Sequence, residues 1–201
     1  MPGDPSGEGT AEEVTARILH AAGDIFSAQG PDAITIKWIA LEAGVSHEEV
    51  LARWPDVPSV LGAVLDDIAD QFGRLPLLPI SDHNALQRVA LVDRYQRIVA
   101  RSLLDGVNPA TLQQEFPVIE HLVQRGMAER DADERTARYR VSQIYALEWG
   151  WRLFGSHLLT VCGIDEEPNE AHSAHLLALE EAMSWMRTLD PDAASYGPSE
   201  T

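Results

Sequence analysis

Apolar residues recur every three or four positions along most of this 201-residue chain, and extended runs that alternate apolar with polar are missing. That spacing admits helices and excludes a sheet-based core, because a strand buries every second residue whereas a helix buries one stripe. Ala, Leu and Glu, all good helix formers, dominate the same segments. An all-α fold is therefore expected, and 45% apolar content is enough to give it a core.

Residues 1–9 are Gly, Pro and acid, and residues from about Asp190 are similar, so both ends read as disordered tails, 1–9 and 191–201. Thr10 and Glu13 have the spacing of a capping box, and Val14, Ile18, Ala22, Ile25 and Phe26 then repeat at helical spacing until Gly30-Pro31. Thr35 is placed to cap a short second helix, Ile36 to Glu42. Ala43-Gly44-Val45 makes a turn, and Ser46 caps a third helix to about Arg53. This predicts a helix-turn-helix over about 34–53. A fourth helix, about Val57 to Gly73, buries Val60, Leu61, Val64, Leu65, Ile68 and Phe72. The prolines of "LPLLPISD", Leu75 to Asp82, end it and place a domain boundary, giving domains 10–74 and 75–190.

Beyond the break, "NALQRVALVDRYQRIVARSLLDG" is a long amphipathic helix ended by Gly106, and "PATLQQEFPVIEHLVQRGMAER" reads as two shorter helices divided near Phe116-Pro117. "VSQIYALEWGWRLFGSHLLTVCGI" is apolar on more than one face, as is a closing helix from about Asn169 to Leu189. Two such helices together predict a partner subunit, most simply a four-helix interface across a two-fold axis, hence a homodimer.

No apolar run approaches the roughly 18 residues that span a bilayer, and the N-terminus lacks the basic start and apolar core of a signal peptide, so no membrane contact and a cytoplasmic location are expected. The one cysteine, Cys162, reads as a small buried hydrophobe. Nothing resembles a nucleophile–base signature or a Gly-rich loop after a strand, so no enzyme activity and no cofactor are expected. His157, His172 and His175 are more simply polar surface or interface residues than metal ligands.

"ARILHAAGDIFSAQGPDAITIKWIALEAGVSHEEVLARWPDVPSVLGAVLDDI", Ala16 to Ile68, resembles the N-terminal domain of the TetR family of bacterial transcriptional regulators. The matching features are the Ala-Ala and Phe of the first helix, Thr35-Ile36 ahead of Ile39-Ala40, Ala43-Gly44-Val45-Ser46, and Arg53-Trp54-Pro55. "ALEWGWRLFGSHLLTVCGI" is similar to the dimer-forming eighth helix of actinobacterial members. The resemblance implies a homodimeric regulator, most simply a repressor, that reads palindromic double-stranded operator DNA. It also implies a C-terminal domain that binds a small hydrophobic effector and thereby releases DNA. On this resemblance Thr35, Lys37, Trp38, Ser46, His47, Glu48 and Arg53 are the DNA-binding candidates, and Tyr95, Phe116, His121, Tyr145, Trp149 and Trp151 line the effector cavity.

The chain departs from the family's pattern where phosphate is usually held. Leu51 stands in place of a Tyr, and Asp56-Val57-Pro58 stands where Ser-Lys is usual. Residues 1–55 contain three basic residues (Arg17, Lys37, Arg53) against nine acidic ones, a net charge of −6, within a chain of net charge −17. Phosphate neutralisation normally supplies most non-specific affinity, so a shallow salt dependence is expected. Glu49 fits a capping box with Ser46, while Glu48 is either a solvated acid or an acceptor for cytosine N4. The alternative reading is a dimeric ligand-sensing or interaction protein on this scaffold, with DNA binding weakened or lost.

Overall fold

The computed structural model describes residues 10–75, 82–130 and 133–166, and among these there are helices, turns and loops but no strand. The described helices are α1 (Ala11–Gln29), α2 (Ile36–Ala43), α3 (His47–Leu51), α4 (Val57–Arg74), α5 (Asp82–Leu104), α6 (Pro117–Arg130) and α7 (Glu134–Val161), with a 3-10 turn at Pro109–Thr111. The all-α expectation holds. Both predicted tails, the closing helix near 169–189 and most of the Leu75–Asp82 break lie outside the described residues. The chain divides into two compact units, in sequence between His121 and Leu122.

In the first unit α1 packs against α2, α4 and α5. Ile18, Ala22 and Phe26, four residues apart on α1, are sealed from solvent together with Ile39 of α2, Val50 of α3, and Val60, Leu61 and Leu65 of α4. Thr10 and Glu13 form the expected reciprocal cap of α1, and Gly30, at φ 78°, ends it.

α5 grips α1 through polar groups. Arg94 Nη2 donates to the His20 carbonyl at 2.5 Å and lies 3.2 Å from Asp24, Arg101 Nε donates to the Ser27 carbonyl at 2.9 Å, and Asp105 accepts from the Asp32 amide at 3.2 Å. Arg94 and Arg101 are seven residues apart, which keeps them on one face of α5, and Asp105 follows directly after the helix end. Gly23 leaves the room that Arg94 occupies: a Cβ there would lie 2.3 Å from Arg94 Nη2.

α4 is fastened to the segment between α5 and α6 in a similar way. Asp66 accepts from the amides of Gln114 and Glu115 at 3.0 and 3.3 Å, and a Cβ on Gly62 would lie 2.6 Å from the Leu112 carbonyl oxygen. This corrects the reading of 109–130 as two helices. Only a single 3-10 turn, capped by Asn108, forms before residue 112; the Leu112 and Gln113 amides still reach the Pro109 carbonyl, but those of Gln114 and Glu115 bond Asp66 of α4 instead of carbonyls of their own segment. Pro117 then opens α6.

In the second unit, Val123 of α6 and Ala137, Val141 and Leu159 of α7 are buried, with Gly126 lying against Ala137. Asp133 caps α7 through the Thr136 amide at 2.9 Å. Cys162, expected to be buried, is exposed: it sits at the C-cap of α7, past the last turn that carries the buried stripe. No helix among the described residues is long and apolar enough to cross a membrane.

Candidate nucleic-acid interface

The turn between α2 and α3 follows from one residue type. Gly44 adopts the left-handed conformation (φ 63°), which costs glycine nothing, and this lets the Val45 amide reach back to the Ala40 carbonyl at 3.0 Å and close α2. The chain leaves this turn extended at Ser46, whose Oγ accepts from the Glu49 amide at 3.1 Å while Glu49 Oε2 accepts from the Ser46 amide at 2.7 Å. The second of these bonds stabilises the ionised carboxylate, and the Glu49 pKa is lowered, chiefly by this bond from the Ser46 backbone and next by the Ser46 hydroxyl. Val50 points inward and is fully buried, which fixes the roll of α3.

The DNA-binding candidates fall into two groups. Thr35, Lys37, Ser46, His47 and Glu48 are exposed, at or near the N-terminal ends of α2 and α3. Thr35 caps α2 by accepting from the Trp38 amide at 3.2 Å. Trp38 and Arg53 are half-buried. Trp38 Nε1 faces Glu42 at 3.4 Å, while Arg53 Nε donates to Thr15 Oγ1 at 3.0 Å and its Nη1 to the Glu49 carbonyl at 2.8 Å. Arg53 thus ties the end of α3 to α1, and α3 stops at Leu51, two residues short of the sequence expectation.

Asp56, at the start of α4, accepts from both the amide and the hydroxyl of Ser59, at 2.8 and 2.6 Å, and these bonds lower its pKa, the hydroxyl's contribution first. An anion arriving at this helix end meets a carboxylate already in place.

The residues assigned to an effector cavity are distributed over both units. Tyr95 donates to Gln113 Oε1 at 2.6 Å, and Gln113, buried, donates on to the Glu115 carbonyl at 2.7 Å. Phe116 is half-buried and His121 exposed. In the second unit Tyr145 and Trp149 lie with ring centroids 5.8 Å apart, burial raises the Tyr145 pKa, and Trp151 covers Gly155. Gln113 and Gln96 escaped the sequence reading, since a glutamine gives no signal of burial. Gln96 is 2% exposed, and its amide nitrogen has no hydrogen-bond partner among the described residues.

A helical protein with a capped helix–turn–helix near its N-terminus belongs by form to the class that presents one helix to a nucleic-acid groove. No family model matches the chain. It is 39% identical over 155 residues, 77% of this chain and 80% of the relative, to HTH-type transcriptional regulator Mb3439c of Mycobacterium bovis and to HTH-type transcriptional repressor Rv3405c of Mycobacterium tuberculosis. A shorter match, 42% identical over 81 residues (39% of this chain, 42% of the relative), joins it to HTH-type transcriptional regulator Rv2250c of M. tuberculosis. The chain belongs to this family of helix-turn-helix transcriptional regulators.

Proposed function

We propose that the chain is a TetR-type repressor whose 10–74 domain binds a palindromic operator as a homodimer and whose 75–190 domain releases DNA on binding a small hydrophobic effector in the cytoplasm. The observation that carries the reading is the α2–turn–α3 unit, with its exposed candidates Thr35, Lys37, Ser46, His47 and Glu48, in a chain with a relative named a repressor. The homodimer is supported by α7, where Leu147, Phe154, Leu158 and Val161 follow at heptad-like spacing and are all exposed in the single chain. The effector is supported, in the first unit taken by itself, by the unpaired Gln96 amide beside Tyr95 on α5 and, in the second, by the aromatic pair Tyr145 and Trp149. A buried donor left unpaired costs about 1–3 kcal/mol, which a ligand acceptor would recover.

One observation favours a second reading, a dimeric ligand sensor with weakened DNA binding. Arg53 and Asp56 are both engaged in capping and tying helices, which leaves Lys37 and Arg17 as the exposed cations of the first three helices. The two readings separate on one experiment: selection from a random duplex pool by the full-length protein at low salt, beside the variant Leu51→Tyr with Val57→Lys. The repressor reading expects the unmodified protein to enrich a palindrome. The sensor reading expects enrichment from the variant alone. Each added phosphate contact should steepen the salt dependence of log K by about 0.9 per unit of log salt.

A further inference from the structure

We propose that the outward face of α3 recognises a cytosine amino group flanked by a thymine methyl, and rejects guanine: Glu48 accepts from cytosine N4, and Leu51 with Ala52 packs the methyl. This rests on the chain's reading as a DNA-binding regulator and adds the base chemistry of the site.

Val50 sets the geometry. It is fully buried, and at about 100° per residue Glu48 and Ala52 stand about 160° from it on either side, with Leu51 about 100° away on the shoulder between Val50 and Glu48. Glu48 and Ala52 are therefore the residues aimed most directly away from the protein, and both are exposed, as is Leu51 at 41%. His47 lies only about 60° from Val50, at the edge of the face, where it is suited to phosphate.

The chemistry of that face is unusual. Glu49 is turned back onto the Ser46 amide and Arg53 onto Thr15 and the Glu49 carbonyl, so neither points into a groove. The Glu48 carbonyl accepts from the Ala52 amide at 2.8 Å, but its side chain makes no hydrogen bond or ion pair among the described residues, and a carboxylate is an acceptor only. What α3 presents outward is an acceptor between two hydrocarbon groups, with no arginine or lysine donor.

Base edges in the major groove sort against such a face. Guanine offers N7 and O6, both acceptors, and cytosine offers the N4 amino donor; thymine alone carries a methyl. A carboxylate set against guanine meets acceptor with acceptor, which rejects the base by repulsion as well as by absence of a bond. The commonest specific contact, arginine to guanine, has no donor here. A head with few cations also has little sequence-independent affinity, so the discrimination that Glu48 supplies becomes a larger share of the whole.

The test is selection of duplexes by the full-length protein and by Glu48→Gln, followed by titration of the enriched half-site. Gln pairs with adenine N6 and N7, so the position that is cytosine for the unmodified protein should become adenine in E48Q, with the original site weakened about ten-fold or more. Replacing the neighbouring thymine by uracil, which removes one methyl, should weaken the unmodified protein by about four-fold. A consensus that E48Q leaves unchanged, or one led by guanine opposite residue 48, overturns the inference and leaves the regulator reading standing. No enriched sequence from either protein overturns both.

Discussion

The N-terminal helices and α7 bury their apolar residues to very different degrees. Along α1, α2 and α4 the apolar stripe is matched by neighbours in the same chain, and Ile18, Phe26, Ile39, Leu61 and Leu65 see no solvent. Along α7, Phe154 is 58% and Val161 67% exposed, on a helix long enough to bury far more. An amphipathic helix gains its stability chiefly by covering its apolar face; among the described residues that face is covered in the first region and only partly covered on α7. The difference is one of cover: the head meets its apolar stripe from within the chain, while part of the apolar face of α7 stands exposed, as the dimer proposed above requires.

The sharpest way to break that contrast is to make the same kind of truncation in both places. Phe26→Ala opens a cavity in the sealed core and should cost about 3–5 kcal/mol of stability, read as a lower denaturant midpoint. Phe154→Ala should change single-chain stability by no more than about 0.5 kcal/mol, yet weaken the proposed dimer by about 2 kcal/mol or more if it is an interface anchor. Light scattering across a dilution series measures the second effect. Equal losses of stability from both variants, with no change in mass distribution, would remove the distinction between the two regions.

The sealed region was also the one most legible in the sequence. Thr10 with Glu13 and Ser46 with Glu49 declare two helix starts by spacing alone, and both reciprocal caps form. Gly44 and Gly30 mark helix ends for the same local reason. What could not be read is what depends on contacts between distant residues. Arg94 and Arg101 look like solvated charges on an amphipathic helix, but they bond carbonyls of α1 some 74 positions away. Arg53 looks equally suited to phosphate, until Thr15 is found beside it. The missing helix before Phe116 has the same origin, since Asp66 takes amides 48 and 49 residues further along.

That last contact gives a test of intermediate size. Gly62→Ala would set a methyl 2.6 Å from the Leu112 carbonyl oxygen, which is backbone and cannot rotate aside. Overpacking of this kind costs about 1–3 kcal/mol, against the general rule that Gly→Ala stabilises a helix interior. The expected sign is therefore destabilisation, seen in a thermal melt. A stabilised variant would mean that the segment after Pro109 yields easily, and that α4 is less tightly fastened than its contacts with Gln114 and Glu115 indicate.

The smallest effect is expected from acid, and it should not distinguish the two regions. Glu49 and Asp56 in the head, and Asp133 in the second unit, all have pKa values lowered by hydrogen bonds to helix-start groups. For a carboxyl whose folded pKa lies below its unfolded value, the added stability is fully present above the unfolded value, about 3.9 for Asp and 4.3 for Glu, and is lost as pH falls through the folded one. Melting temperature should therefore be flat through neutral pH and fall below that range. Glu49→Gln can still cap Ser46 but cannot titrate, so it should shed its part of the slope while keeping the helix start. Because Asp133 caps α7 by the same chemistry, the remaining slope should persist in a protein already carrying Phe154→Ala. If that variant abolished the acid dependence, the caps of the head would be contributing little. The carboxylates that matter would then have to be sought at the proposed interface.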